Sequence, residues 1–129
     1  MVVGPSEIVK VAMDVMISQL GHTPLVEAHG DIDHNNCGSV EVALSNALDQ
    51  GNVVVLLDLR DVTYIDSGGL SVLLSGVRRL RDRGWLGVVG PNPNVRRLLE
   101  IVGLLVDPNF RIFGDLGEAE AGVAEPATT

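Results

Sequence analysis

The sequence contains only one cysteine and one lysine among its 129 residues. The single thiol, Cys37, excludes an internal disulfide bond and a zinc site built from several cysteines. No apolar run reaches the roughly 20 residues that a membrane-spanning helix needs. The first seven residues, Met-Val-Val-Gly-Pro-Ser-Glu, lack the basic and apolar regions of a signal peptide. These absences predict a cytoplasmic location and no contact with a membrane.

Acidic residues outnumber basic residues by seventeen to nine, which gives a formal net charge of −8. This excess of negative charge argues against direct binding to nucleic acid or to an anionic membrane surface. The hydrophobic content of 46% argues against disorder, and the length is about that of one domain. We therefore expect one globular domain.

Hydrophobic periodicity predicts strands that alternate with helices. Residues 9–18 alternate with period two, which indicates a half-buried strand in a hairpin with a second strand at 25–29. The continuous apolar run at 53–57 indicates a strand that is covered on both faces. Two more strands are predicted at 85–89 and 111–113, and helices are predicted within 40–51, 68–84, 93–103 and 115–123.

The order of these elements predicts an α/β fold. Helices that follow buried strands favour a mostly parallel sheet, and the first hairpin adds an antiparallel edge. In the third helix, Asn92 is the expected N-cap and Pro93 the first helical residue. The sheet is therefore predicted to be mixed, with four to five strands.

Residues 56–74, LLDLRDVTYIDSGGLSVLL, contain the strongest candidate site. Asp66 and Ser67 lie where a connection enters a helix, and both residue types are preferred N-caps. One interpretation is that Ser67 merely caps the helix and that Gly68 and Gly69 permit a tight turn. The other is that Ser67 is displayed at the positive helix end, where a phosphate gains backbone N–H donors and dipole support. Periodicity alone favours the cap.

A serine hydrolase is a further hypothesis for Ser67. Its segment lacks the first glycine of the Gly-x-Ser-x-Gly nucleophile elbow. His22, His29 and His34 are candidate bases, but the sequence does not connect any of them to Ser67. We therefore do not expect a serine hydrolase.

The loop at 30–38 brings Asp31, Asp33 and His34 close together in the sequence. Two carboxylates are too few to indicate a site for a hard cation, but a carboxylate here can bind an arginine of a partner. No Gly-x-Gly-x-x-Gly motif and no Walker lysine is present. The sequence thus predicts neither a metal site nor a cofactor.

Three segments together resemble bacterial anti-sigma factor antagonists, also called anti-anti-sigma factors, of the STAS-domain family. Residues 53–70, VVVLLDLRDVTYIDSGGL, are similar to the family signature, and Gly30-Asp-Ile-Asp is similar to its Gly-Glu-(Ile/Leu)-Asp. Residues 89–104, VGPNPNVRRLLEIVGL, are similar to its third-helix region. The resemblance implies a STAS domain over 9–121 with helices packed on one side of the sheet. Residues 1–8 are then an N-terminal extension, and 122–129 are expected to be a disordered tail.

The resemblance also implies a protein that is not an enzyme and that functions in partner switching and transcription regulation. In that family the serine of the Asp-Ser-x-Gly-Leu turn is phosphorylated by a partner that is both an anti-sigma factor and a serine kinase. The unphosphorylated antagonist binds this partner and so releases a sigma factor, and a metal-dependent serine phosphatase resets the cycle. Ser67 is then the phosphorylation site, and Asp33 matches an aspartate that helps to bind the kinase. The partner surface implied for this chain comprises Asp31, Asp33, Asp66, Ser67, Gly68, Gly69 and Leu70.

Gly68 departs from the family pattern, which commonly has Asp-Ser-Ser-Gly-Leu at this turn. The acceptor position is retained, but the residue after it differs. An alternative within the same family is a STAS scaffold or a transport-system subunit. Such a protein acts by protein–protein binding without a phosphorylation switch.

Overall fold

The computed structural model describes residues 14–124. The predicted extension at 1–8, the first part of the predicted strand at 9–13 and residues 125–129 lie outside this range. The elements are, in order, β1 (Asp14–Leu20), β2 (Thr23–His29), α1 (Cys37–Asp49), β3 (Val54–Asp61), α2 (Ser67–Arg79), β4 (Trp85–Val89), α3 (Pro93–Ile101), a 3-10 helix (Leu104–Val106), β5 (Phe110–Phe113) and α4 (Leu116–Ala124).

The five strands form one sheet in the order β1-β2-β3-β4-β5. β1 and β2 are antiparallel, and the other neighbours are parallel. The predicted mixed sheet is therefore confirmed. Because β2, β3 and β4 run in the same direction, their carboxyl ends meet along one edge of the sheet, and the connections that follow them lie side by side there. This edge is distinct from the two lateral edges, which are formed by the outer strands β1 and β5.

Three helices cover one face of the sheet, as predicted. The continuous apolar run in β3 serves both faces, because successive side chains of a strand point to opposite sides. Leu57 faces the larger core, in which α1, α2 and α3 pack against the strands. Fully buried side chains from the three helices and the strands meet in this core: Leu44, Leu73, Leu99, Val26, Leu57 and Val88.

The fourth helix corrects the expectation that all helices lie on one side. Leu56, which alternates with Leu57 along β3, belongs to a second and smaller cluster with Ala119 of α4. Leu116 and Val123 of α4 pack against the same cluster. α4 therefore covers part of the opposite face. It also extends to Ala124, three residues beyond the predicted domain limit at 121.

The predicted alternation of the first strand is only partly reflected in burial. Val15 packs against the larger core, but Ile17, which points to the same face, is 63% exposed. β1 is an edge strand, and a cavity of about 310 Å³ separates Ile17 from Ala43 and Asn46 of α1. Alternation shows to which face a side chain points. It does not show whether a helix reaches that side chain.

Candidate functional site

The connections that follow β2 and β3 are joined by backbone hydrogen bonds at one edge of the sheet. Ile32 and Ile65 form a parallel bridge beyond the ends of the two strands. The Ile32 N–H donates to the Tyr64 carbonyl at 3.0 Å, and the Asp66 N–H donates to the Ile32 carbonyl at 3.1 Å. The loop after β2 is thus held against the turn that enters α2.

Asp66, and not Ser67, is the N-cap of α2. Its backbone is extended, with φ −98° and ψ −170°, as an N-cap requires. Its Oδ1 accepts hydrogen bonds from the N–H groups of Gly68 at 2.7 Å and Gly69 at 3.2 Å. Ser67 is the first helical residue and is exposed. The interpretation of Ser67 as a helix cap is therefore wrong, because the preceding aspartate already satisfies the free amides of the first turn.

The second carboxylate oxygen of Asp66 binds His34, which lies in the loop after β2. Oδ2 accepts from the His34 backbone N–H at 3.1 Å and lies 3.2 Å from the ring Nδ1. Burial acts to raise the pKa of Asp66, but the hydrogen bonds from His34, Gly69 and Gly68 together lower it below the usual carboxyl range. Asp66 therefore remains a carboxylate that fastens the loop to the helix entry.

We expect the contribution of Asp66 to stability to depend on pH. A folded-state pKa below the unfolded value stabilises the protein above the unfolded pKa, and this contribution is lost as the pH falls through the folded pKa. Asp66→Asn removes the titrating group, so the difference in unfolding free energy between wild type and variant is expected to shrink on acidification. Denaturant unfolding at a series of pH values from about 7 to about 2 measures this.

His34→Ala is expected to raise the pKa of Asp66, because it removes the bond from the ring. NMR titration of the Asp66 carboxyl carbon measures the shift. His22→Ala is the matched control, since His22 is exposed in the turn between β1 and β2. An unchanged Asp66 pKa in His34→Ala would contradict the assigned contact.

The loop lies so close to the turn that Gly68 has no room for a side chain. A Cβ at position 68 would lie 2.7 Å from the His34 Cα and 3.0 Å from the His34 N. These are backbone atoms, so the loop itself must move to admit one. Gly68, at a position where the similar family commonly has serine, therefore allows the loop to contact the turn directly.

Gly68→Ser is expected to lower the unfolding free energy by about 1 to 3 kcal/mol, because it overpacks this contact. Amide chemical shifts of the loop at 31–36 are expected to change together with those of the turn. Gly38→Ser is the control, since a Cβ at the exposed position 38 meets nothing within 4 Å. Equal stability of the two variants, measured by thermal unfolding, would show that the loop is not held in place.

The structure places the two loop carboxylates in different roles. Asp33, the predicted kinase-binding residue, is half-buried, and its Oδ1 accepts from the N–H groups of Asn35 at 2.9 Å and Asn36 at 3.1 Å. Asp31 is exposed and accepts a hydrogen bond from the Thr63 hydroxyl. Asp33 thus shapes the turn that enters α1, and Asp31 is the more accessible carboxylate beside Ser67's turn.

Two further residues at this edge were not predicted as site residues. Tyr64 is 54% exposed immediately before the bridge residue Ile65. Asn92 caps α3 as predicted, accepting from the Val95 N–H at 2.7 Å, and its amide also donates to the Thr63 carbonyl at 3.1 Å. The sequence carried a signal for the cap but none for the contact with Thr63, because the two residues are far apart in the chain.

The arrangement of the histidines does not form a hydrolase triad within residues 14–124. His29 Nδ1 lies 2.6 Å from an Asp61 carboxylate oxygen, and His34 binds Asp66. His22 precedes β2 and so lies at the opposite edge of the sheet from Ser67. In the same residues no cluster of three or more potential metal ligands is found, and none of the helices is long and apolar enough to cross a membrane.

The chain matches the family model described as "Mlab, STAS domain" over residues 15–106. It is 25% identical to the anti-sigma-F factor antagonist RsfB of Mycobacterium tuberculosis over 112 aligned residues. The aligned region covers 87% of this chain and 90% of RsfB. The structure of an anti-sigma factor antagonist from Mycobacterium paratuberculosis has a TM-score of 0.79 at 22% identity and covers 90% of this chain and 97% of that one. The structure of the Bacillus cell fate determinant SpoIIAA in the phosphorylated form has a TM-score of 0.66 at 21% identity. The match covers 87% of this chain and 99% of that one.

Proposed function

Because the chain belongs to the STAS-domain family of anti-sigma factor antagonists, we propose that it binds an anti-sigma factor when Ser67 is unphosphorylated. Phosphorylation of Ser67 then releases the chain from this partner. The partner is then an anti-sigma factor with serine kinase activity, and binding to it releases a sigma factor. A metal-dependent serine phosphatase restores the unmodified serine. The chain itself acts as a cytoplasmic regulatory binding protein and catalyses no reaction.

The display of Ser67 is the observation that carries this proposal. Asp66 satisfies the amides of Gly68 and Gly69, so the exposed Ser67 is not needed to cap α2. Its position at the first turn places a phosphate near the positive end of the helix dipole, where the modified serine is tolerated by the folded chain. Phosphorylation can therefore change binding without unfolding the domain.

The residues around Ser67 form a surface that suits a docking partner, and we call it the acceptor surface. It comprises Asp31, His34, Tyr64, Asp66, Ser67, Gly68 and Leu70. Tyr64 supplies an exposed aromatic group, of the kind enriched in interface anchors, and Asp31 supplies an accessible carboxylate for a basic group of the partner. Asp33 orders the loop beside this surface, and the buried Gly69 packs against Ile32 and Ile65.

Phosphorylation opposes docking through both bulk and charge. A phosphoserine carries about −1.5 to −2 charges and is strongly hydrated, so a partner packed against Ser67 has to desolvate it. The carboxylates of Asp31 and Asp66 lie on the same surface and add like charge. The modified surface is therefore a poorer match for a partner selected to contact a neutral hydroxyl.

A pull-down from the native cytosol with three baits tests the proposal. Ser67→Ala is expected to capture a small ATP-binding kinase-like protein, and Ser67→Glu is expected to lose it. Ser71→Glu is the matched control, because Ser71 is exposed one turn further along α2 and receives the same charge. If Ser67→Ala and Ser67→Glu capture the same partners, Ser67 is not a switch and a scaffold or transport-system role is favoured.

A further inference from the structure

The outer edge of the sheet at β5 carries a groove that the proposed function does not use. β5 is the last strand in the sheet order, and within residues 14–124 only β4 pairs with it. The groove has a volume of about 410 Å³. It is lined by all four residues of β5, by Arg96 of α3 and by Leu105 of the 3-10 helix.

The backbone of β5 leaves hydrogen-bonding groups directed into this groove. The N–H of Leu86 donates to the Asn109 carbonyl at 2.9 Å, and the N–H of Gly90 donates to the Phe113 carbonyl at 2.8 Å. In a strand the peptide groups alternate in direction, so those of Arg111 and Phe113 face β4. The N–H and C=O of Ile112 therefore point away from β4, where an extended peptide can continue the sheet.

Both charged side chains that line the groove are arginines. The ion pairs found in the described part of the chain do not include Arg96 or Arg111. The Arg111 guanidinium lies 4.3 Å from the centroid of the Trp85 ring of β4, which holds it on the face of the sheet opposite α3. Three neighbouring carboxylates accept backbone N–H groups instead: Asp107, Asp115 and Glu118. The residues that line the groove therefore carry positive charge only, on a chain with a net charge of −8, and the three carboxylates lie in the segments that flank it.

Exposed apolar side chains lie next to the groove. Leu105 belongs to a short segment, from the end of α3 through the 3-10 helix, in which four large apolar residues are exposed. Val106 is 87% exposed and Ile101 is 68% exposed, and Val102 and Leu105 are exposed to a smaller extent. Exposure of several large apolar side chains within one short segment favours an interaction site there.

We propose that the β5 edge binds an extended acidic peptide segment of a partner protein. The peptide backbone adds a strand beside β5, and its side chains alternate between the two faces of the sheet. Its carboxylates lie on the face of Arg111, and its apolar residues lie on the opposite face, where they contact Leu105. Arg96 adds positive charge at the margin of the groove. β5 is the outermost strand, whereas Ser67 follows the central strand β3. The two surfaces are therefore separate, and this interaction does not depend on phosphorylation of Ser67.

Two synthetic peptides test the proposal by amide chemical-shift titration of the full chain. The probe is acetyl-Glu-Val-Asp-Val-Glu-Val-amide, and the matched control carries lysine at each acidic position. The acidic peptide is expected to give saturable shifts in β5 and the 3-10 helix and to slow hydrogen exchange of the Ile112 N–H. The lysine peptide is expected to bind at least tenfold more weakly. Equal binding of both peptides, or saturation without shifts in β5, would overturn the proposal.

Variants separate the charge contacts from the strand contacts. The double variant Arg96→Glu and Arg111→Glu is expected to reverse the preference between the two peptides. Ile112→Pro removes the outward N–H at an edge position that tolerates proline, and it is expected to abolish binding, whereas Ile112→Val retains it. If the free chain instead self-associates in sedimentation experiments and these variants dissociate it, the occupant is a second copy and the peptide proposal is rejected.

Discussion

Phosphorylation of Ser67 is expected to weaken the complex with the anti-sigma partner about 100-fold, which corresponds to about 2.7 kcal/mol of binding free energy. The modification places a hydrated dianion at the centre of the acceptor surface, beside the carboxylates of Asp31 and Asp66. Most of the loss of affinity is expected to come from faster dissociation of the complex, because phosphorylation removes short-range contacts at Ser67.

Calorimetry with the partner captured by Ser67→Ala measures this effect directly. Phosphoserine is incorporated at position 67 during synthesis, so the result does not depend on finding the kinase. A chain with phosphoserine at position 71 is the control and is expected to retain most of the affinity, since it changes the net charge equally. Equal weakening by both modifications would mean that total charge, and not the position of Ser67, governs binding.

Gly69→Ala is expected to lower the free energy of unfolding by about 3 kcal/mol, with a fall in melting temperature of roughly 10 °C. A Cβ at position 69 would lie 2.7 Å from Ile65 Cγ2, 2.8 Å from Ile32 Cγ2 and 3.2 Å from the Ile32 carbonyl oxygen. Ile32 and Ile65 are buried and bridge the two connections, so neither can move away without opening the site. Thermal and denaturant unfolding measure the change.

Gly76→Ala provides the matched control on the same helix. A Cβ at position 76 would lie 3.5 Å from Leu86 Cδ2 and 4.0 Å from Leu44 Cδ1, which are ordinary contacts. Because alanine is the better helix former, Gly76→Ala is expected to be neutral or to stabilise the chain by about 0.5 to 1 kcal/mol. If Gly69→Ala proved as stable as Gly76→Ala, the packing assigned to the bridge would be incorrect.

Much of the fold could be predicted because the relevant signals are local. The strand at Trp85–Val89 and the cap of α3 by Asn92 were predicted at the residues where they occur. Each depends on neighbours within about one helical turn or one strand, so periodicity and capping chemistry suffice. The position of Ser67 at the start of a helix was likewise predicted from the turn that precedes it.

The assignment of the cap required the three-dimensional backbone. Asp66 and Ser67 are both good N-cap residues, and their sequence does not distinguish them. The structure distinguishes them because the Asp66 N–H is bonded to the Ile32 carbonyl, which holds Asp66 in an extended conformation just outside the helix. That bond joins two connections separated by more than thirty residues.

The sequence by itself determined the order and type of the strands and α-helices, the position of Ser67 where a connection enters a helix, and the family resemblance. Only the tertiary structure decided that α4 covers the second face of the sheet, that His34 binds Asp66 and that Arg96 and Arg111 line one groove. The physical reason is that periodicity records which side of an element is apolar. Which surface covers that side, and which distant polar groups meet, depends on how parallel strands bring remote connections to the same edge.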